Sequence, residues 1–151
     1  DSPEWEKNKE EAAKVVRRLK DTGWSFASHG YGHLDAAKVT PQRLKEDTMQ
    51  WKEEVESLIG PTPVYIFPFG SGVFPGSEKF SLLQEAGFAL FCGVGPRPYL
   101  DMGENYMWMD RRHIDGVAFR YQKERLKPLF DVEQVVDPRR PGFASFQKDD
   151  P

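Results

Sequence analysis

Two histidines four positions apart are the strongest chemical signal in the sequence. His29 and His33 lie in the segment Ser-His-Gly-Tyr-Gly-His, which follows a short apolar run. Side chains at this spacing project from the same side of a helical turn, so both imidazoles can face one ion. The glycines beside Tyr31 allow the backbone to approach a bound group closely. The pattern indicates a divalent metal site, and the alternative is a pair of solvated loop histidines without a ligand.

Two imidazoles are too few to hold a catalytic zinc ion, which usually has three protein ligands and a water molecule. Asp35 follows two residues after the second histidine and is one candidate for the third ligand. An ordinary solvated carboxylate is the alternative for Asp35. The residues alone therefore leave the ligand set incomplete.

A second segment with chemical potential is Pro68-Phe69-Gly70, at the end of the next apolar run. Proline fixes the backbone of the turn, and the N–H group of Phe69 can face a cleft and stabilise a negatively charged oxygen. The alternative is a β-turn whose aromatic side chains only pack. This segment alone does not decide between the two.

The elements that must carry these segments alternate between helices and short apolar strands. Proline after Ser2 and after Thr40 predicts two helix starts, and Gly23 and Gly60 predict the corresponding ends. This alternation is typical of an α/β fold with a mostly parallel sheet, in which loops at the carboxyl ends of the strands form the sites. We expect helices at 3–22, 41–60, 77–87 and 123–129, strands at 24–28, 64–68, 88–92 and 106–109, a weaker strand at 117–121, and loops at 29–38, 69–76 and 93–105.

Length and composition exclude several classes of protein. The 151 residues suit one globular domain, which we assign to residues 1–137, followed by a tail, loop or disordered segment at 138–151. The net charge of −3 lacks the basic excess of nucleic-acid-binding domains, and no apolar run is long enough to span a membrane. Cys92 is the only cysteine, which excludes an internal disulfide and a cysteine zinc cluster.

The histidine motif resembles that of a known family. Ser-His-Gly-Tyr-Gly-His after Gly-Trp-Ser-Phe-Ala is similar to the metal-binding motif of the polysaccharide deacetylases, the NodB-homology group of carbohydrate esterase family four. The turn at Phe69 is similar to that family's Pro-aromatic-Gly turn, and residues 109–116 are similar to its arginine-bearing strand end. The resemblance covers residues 3–137 and implies an irregular (β/α) barrel of mostly parallel strands.

The resemblance also implies a reaction and a metal. The reaction is the removal of acetyl groups from an N- or O-acetylated polysaccharide or from peptidoglycan. His29 and His33 are the implied ligands of a divalent metal, usually zinc and sometimes cobalt or nickel. A parent protein that acts on such polymers is expected to be extracellular or associated with the cell wall or membrane.

Further roles follow from the same resemblance. The backbone N–H group of Phe69 is the implied oxyanion donor, and the remaining candidate for the general acid is His113, with a salt-bridged surface histidine as the alternative. Residues expected to contact the substrate are Tyr31, Pro68, Phe69 and Arg112. The alternative for Tyr31 is packing alone, and the alternative for Arg112 is a structural ion pair in a charged cluster with Arg111 and Asp115.

The chain departs from the family pattern upstream of the histidines. The family takes its third ligand and its general base from paired aspartates on the first strand, whereas this sequence has only Asp1 and Asp21 before His29. We therefore expect an incomplete barrel that lacks the first strand, a third ligand outside this chain, and little activity of the chain alone. An open barrel edge exposes strand hydrogen-bonding groups, so we also expect self-association.

Two other functions stay open at this point. Ile66 stands where many family members have arginine, which favours a non-catalytic carbohydrate-binding or scaffold domain that keeps the fold. The other is an unrelated zinc hydrolase in which Asp35 or a later acidic residue completes the site.

Overall fold

The computed structural model describes residues 2–95, 99–112 and 114–135. Two compact units are distinguished, Asp1–Arg111 and Arg112–Pro151. His113 and the proposed tail at 138–151 lie outside the described residues, as does the boundary at residue 137. Their roles therefore stay predictions.

The helices of the first unit begin where the sequence predicts them. Helix α1 spans Pro3–Asp21 and α2 spans Pro41–Trp51. A π-helical turn, Lys52–Glu56, joins α2 to the short α3, Ser57–Ile59, and α4 spans Glu78–Glu85. The helix starts predicted at Ser2 and Thr40 are confirmed, because both side chains accept hydrogen bonds from backbone N–H groups of the first turns. Ser77 caps α4 in the same way.

Four strands form one sheet in the order β1-β2-β4-β3. They are β1, Val64–Ile66; β2, Leu90–Val94; β3, Leu100–Gly103; and β4, Tyr106–Arg111. Strands β1, β2 and β4 run parallel, and β3 is antiparallel to β4. The predicted α/β class and mostly parallel sheet are confirmed, whereas closure into a barrel stays a prediction.

An aromatic core supports this sheet. Phe67 stacks between Phe91 and Trp108, with ring centroids 6.2 and 6.0 Å away. Phe80 of α4 covers Phe91 at 4.6 Å between ring centroids. The indole N–H of Trp108 donates to the backbone oxygen of Val73 at 2.9 Å, so the loop after β1 is fixed to β4. These contacts hold the carboxyl end of β1 in place.

The strand predicted at 24–28 is reduced to a single bridge between Ser28 and Tyr65. The N–H group of Ser28 donates to Val64, and Ile66 donates to the carbonyl of Ser28. Toward the N-terminus of the predicted strand, the side chain of Thr62 interrupts the backbone pairing. Its hydroxyl donates to the carbonyl of Phe26 at 2.8 Å and accepts from the N–H group of Val64 at 3.3 Å. A side chain therefore replaces the backbone pairing that would extend the strand.

Two other predicted segments were wrong. The expected loop at 93–105 contains strand β3, and the expected strand at 117–121 is helix α5, Gly116–Tyr121. The Asp115 carboxylate accepts from the N–H group of Ala118 at 2.8 Å and so caps that helix.

The second unit consists of three short helices. After α5 come α6, Lys123–Leu126, and α7, Val132–Val135, and the three pack around Ala118, Leu126 and Val132. The carboxylate of Asp131, the residue before α7, accepts a hydrogen bond from the N–H group of Glu133 at 3.0 Å. Within the described ranges of both units, none of the helices has the length and apolar character needed to cross a bilayer.

Candidate functional site

The two histidines lie together at the carboxyl end of β1. Both side chains are exposed, and their ring centroids are 4.9 Å apart with an angle of 73° between the ring planes. His29 directly follows Ser28, the buried residue that bridges to Tyr65 of β1. The structure therefore brings the sequence-predicted pair into proximity at a solvent-accessible edge of the sheet. The expected helical turn is wrong, because residues 29–33 form an irregular loop in which Gly30 and His33 have positive φ.

The tautomer of the neutral His29 ring follows from a hydrogen bond to the backbone at the end of β1. Its Nδ1 atom lies 2.7 Å from the carbonyl oxygen of Ile66. A carbonyl oxygen only accepts, so Nδ1 carries the hydrogen and, in the neutral ring, Nε2 keeps its lone pair. Histidine ligands of metals commonly donate their other ring N–H group in this way. In this tautomer Nε2 of His29 can accept a hydrogen bond or donate its lone pair to a ligand.

The Pro68–Gly70 turn contacts the histidine loop through Phe69. The turn Pro68–Gly70 follows β1, and the phenyl ring of Phe69 contacts the His33 imidazole edge to face, with 4.7 Å between ring centroids. The Phe69 side chain is 71% exposed. A Cβ atom on Gly70 would lie 2.8 Å from the side chain of Val94, so only glycine fits this turn against β2. The two motifs therefore form one site.

Asp47 of α2 is a component of the site that the sequence analysis missed. It is 1% exposed, and its carboxylate accepts the N–H groups of Tyr31 at 2.9 Å and of Gly32 at 2.7 Å. A signal was present in the sequence, because Asp47 falls on the apolar face of α2 between the buried Leu44 and Trp51. A carboxyl group at such a position needs hydrogen-bond donors, and the histidine loop supplies them.

Tyr65 lies beneath the same loop. Its side chain is 2% exposed, and burial, with a smaller contribution from the Asp47 charge, raises the pKa of its phenol far above the ordinary value. The phenol therefore stays protonated throughout the physiological range. Its oxygen lies 3.4 Å from the position that a Cβ atom would take on Gly30, so the loop packs closely on this ring.

Tyr31, predicted to contact the substrate, is tethered to the π-helical turn. Its hydroxyl donates to Glu54 at 2.8 Å, and Gln50 donates to the other oxygen of the same carboxylate at 3.0 Å. The hydrogen bond from Gln50, and to a smaller extent that from Tyr31, lowers the pKa of the Glu54 carboxyl group. The hydrogen bond to Glu54 raises the pKa of the Tyr31 phenol. The Tyr31 ring is held in place and 41% exposed, while its contact with a substrate stays a prediction.

Asp35 is engaged in its own turn. Its carboxylate accepts the N–H group of Ala37 at 3.2 Å and pairs with Lys38 at 2.9 Å. Hydrogen bonds from Ser71 and then from Lys38 lower its pKa. Across the described parts of the chain, no group of three His, Cys, Asp or Glu side chains is arranged to hold a metal ion. The structure therefore does not join Asp35 to the histidine pair as a third ligand.

The remaining predicted site residues are located as follows. Pro68 is buried at the start of the turn that carries Phe69. Arg112 is partly buried and begins the second unit. His113 lies outside the described residues.

A family model decides the relationship suggested by these motifs. The model described as polysaccharide deacetylase matches residues 5–90, which is more than half of the chain. The chain belongs to the polysaccharide deacetylase family. The matched region includes His29, His33 and Phe69, so the family resemblance is confirmed for these residues, whereas the resemblance predicted at 109–116 lies outside the match.

A solved structure adds a comparison at the level of the fold. The structure titled "Crystal structure of Puue Allantoinase" aligns with a TM-score of 0.51 at 16% sequence identity, over 89% of this deacetylase-family chain and 54% of the allantoinase chain. At this identity the likeness concerns the fold alone. The chain spans about half the length of that structure. No curated protein matches the chain.

Proposed function

We propose that this deacetylase-family chain carries the metal-binding histidines of a hydrolase that removes acetyl groups from an N- or O-acetylated polysaccharide or from peptidoglycan. The observation that carries the proposal is the proximity of the His29 and His33 rings, 4.9 Å apart between centroids, beside Phe69. Membership of the family supports a hydrolase of this type. A parent protein acting on such polymers works outside the cell or at its wall or membrane.

The histidine pair is chemically suited to a divalent metal. His29 offers Nε2 with a free lone pair because Nδ1 is bonded to Ile66, and His33 lies 4.9 Å away between ring centroids. Neutral imidazole suits zinc, the proposed metal, and also cobalt and nickel. When bound, such a metal supplies a Lewis acid for the acetyl carbonyl and lowers the pKa of a water molecule.

The other residues would bind and orient the substrate. We assign the backbone N–H group of Phe69 to the oxygen that becomes negatively charged as the acetyl carbonyl is attacked. The exposed ring of Tyr31 offers a face for a sugar, and Pro68 and Arg112 complete the proposed substrate contacts. His113 is the proposed general acid, which donates a proton to the leaving amine or alcohol.

The chain alone should turn over little substrate. Among the described residues only two imidazoles are placed as ligands, and no carboxylate joins them. A catalytic zinc ion usually has three protein ligands. We therefore propose that the third ligand and the general base come from outside this chain.

Zinc titration and acetate release test this function together. We expect the chain to bind zinc, His29→Ala and His33→Ala to lose that binding, and His113→Ala, the matched control, to keep it. Acetate release from a chitooligosaccharide, peptidoglycan or acetylated xylan should stay close to the rate without protein. Unchanged zinc binding in both histidine variants would contradict the metal site, and rapid turnover would contradict the missing ligand and base.

The incomplete ligand set favours a second function, a non-catalytic carbohydrate-binding or scaffold domain. Isothermal titration with the same oligosaccharides distinguishes the two. Binding that survives both His29→Ala and a chelator supports the second function, whereas binding that needs the metal supports the first.

We also propose that the chain self-associates through an exposed edge of its sheet. In strand β3, Leu100 and Met102 are 61% and 63% exposed, and exposed edges of this kind pair readily with other chains. Light scattering should show a mass that rises with concentration. A monomer at every concentration would contradict this proposal.

A further inference from the structure

We propose that Asp47 is a positioning residue that sets the histidine loop so that His29 and His33 face one metal ion. The inference rests on the proposed function, since it concerns the same pair of ligands. Asp47 lies 14 residues after His33 in the sequence, on the buried face of α2, and touches the loop rather than the imidazoles. Its action on the site is therefore through the backbone.

The carboxylate is bound at both oxygens by consecutive backbone groups. Oδ2 accepts the N–H group of Tyr31 at 2.9 Å, and Oδ1 accepts that of Gly32 at 2.7 Å. Hydrogen bonds to a charged acceptor are stronger than neutral ones, and a two-oxygen contact also fixes orientation. Both donors lie between the two histidines in the chain. The carboxylate therefore fixes the short segment that determines the separation of the two rings.

The glycines of the motif fit around this carboxylate. A Cβ atom on Gly30 would lie 3.2 Å from Oδ2 of Asp47, and a Cβ atom on Gly32 would lie 2.9 Å from Oδ1. Gly30 also has a φ of +71°, which favours glycine independently. At Gly32 the nearest obstacle is the carboxylate itself. The loop is thus shaped to receive Asp47 at this distance.

Only a carboxylate of this length satisfies both N–H groups. Asparagine has one acceptor oxygen, and its amide group would face one of the two N–H groups, so this partly buried contact would lose a hydrogen bond. Glutamate is longer by one methylene group and would press against a loop that already lies close. Asp47→Asn is therefore the informative substitution, because it keeps the shape and removes one acceptor.

The first measurement is the affinity for Co²⁺ in the full 151-residue chain. We expect Asp47→Asn to weaken it by roughly ten- to a hundredfold, as is usual when a group that orients metal ligands is lost. Two controls separate this effect from a general loss of stability. Thr48→Val alters the adjacent buried polar residue, whose hydroxyl has no hydrogen-bond partner among the described residues. Leu83→Ala removes a buried side chain of α4. Both controls should keep their affinity within about twofold.

The second measurement needs no metal. Nitrogen-15 spectra report the hydrogen on Nδ1 of His29, and nuclear Overhauser contacts report the approach of the His29 and His33 rings. Both signals should be present in the wild-type chain and in Thr48→Val, and lost or reduced in Asp47→Asn. If the wild type binds no cobalt, the proposed function fails, and these ring signals alone decide the positioning role.

A second variant keeps the inference testable if Asp47→Asn does not fold. Gly32→Ala leaves α2 intact but places a methyl group against Oδ1 of Asp47, so it should weaken metal binding and ring contact in the same direction. Combined with Asp47→Asn, its effect should be less than additive, because both act on one contact. Unchanged affinity and unchanged ring signals in either folded variant would overturn the inference.

Discussion

The imidazole of His33 meets the phenyl ring of Phe69 edge to face, and both residues have a left-handed backbone, with φ of 51° and 58°. For residues other than glycine this conformation costs on the order of 1 kcal/mol each. Conformations of this kind cluster at binding and catalytic sites, where the surrounding structure enforces them. Here the enforced turns are the two that bring the motifs of the site together.

Substitution of Phe69 should reveal this backbone strain. Phe69→Ala removes the ring and keeps the strain, whereas Phe69→Gly removes both, so the glycine variant should be more stable by about 1 kcal/mol. Urea unfolding measures the difference. Phe74, a half-exposed aromatic residue of the same loop without a positive φ, is the control. There the alanine variant should be the more stable one, and the same order at both positions would contradict the argument.

The stability of the chain should depend on Asp35 at acid pH. Hydrogen bonds from Ser71 and Lys38 hold its pKa below the ordinary 3.8 in the folded state. The charged carboxylate therefore stabilises the fold above that ordinary value, and its contribution is lost as the pH falls through the lower folded value. Urea unfolding at about pH 6 and about pH 3 should show a smaller loss for Asp35→Asn than for the wild type. Asp21→Asn, an exposed control, should follow the wild type, and Asp35→Asn should leave zinc binding unchanged.

Lys79 of α4 should stabilise the segment after the histidines. Its ammonium group donates to the carbonyl oxygens of Ala36 and Ala37, each at 2.7 Å, and of Val39 at 3.1 Å. Methionine keeps the length of the side chain without these donors, so Lys79→Met should lower the free energy of unfolding by about 2 kcal/mol. Lys38→Met, in the same segment but 82% exposed, should change it by less than about 0.5 kcal/mol. Similar losses in the two variants would argue against the carbonyl contacts.

The hydroxyl of Thr62 should contribute more to the free energy of unfolding than that of Thr48. The Thr62 hydroxyl bridges the carbonyl of Phe26 and the N–H group of Val64. The buried Thr48 hydroxyl has no partner within the part of the chain that the structure describes. Valine has the same shape as threonine without the hydroxyl. Thr62→Val should therefore lose about 1–2 kcal/mol, and Thr48→Val should be neutral or more stable. Thermal unfolding of the pair measures this, and an equal loss at both positions would refute it.

The sequence predicts those parts of the fold that depend on local signals. The proline and hydroxyl pairs at Ser2 and Thr40 begin α1 and α2 as expected. Strand β3 was missed because its apolar residues, Leu100 and Met102, are exposed, and the prediction of strands relied on buried apolar runs. The residues of α5 form an apolar run of strand type, but the Asp115 cap and packing around Ala118 determine a helix.

The candidate site likewise has a part that local sequence signals predict and a part that depends on contacts between distant segments. The spacing of His29 and His33 is a local signal, and the structure places their rings together. The part played by Asp47 depends on how α2 packs against the loop, and the position of Glu54 depends on a π-helical turn. Neither can be derived from residue spacing, because each requires a contact between segments more than a dozen residues apart.

The hydrogen bond between His29 and the carbonyl oxygen of Ile66 has a consequence for substitutions at residue 66. Ile66 contributes its main-chain oxygen, which every amino acid possesses. A substitution of Ile66, by arginine for example, therefore changes the side chain alone, because the acceptor of the His29 hydrogen bond stays in place.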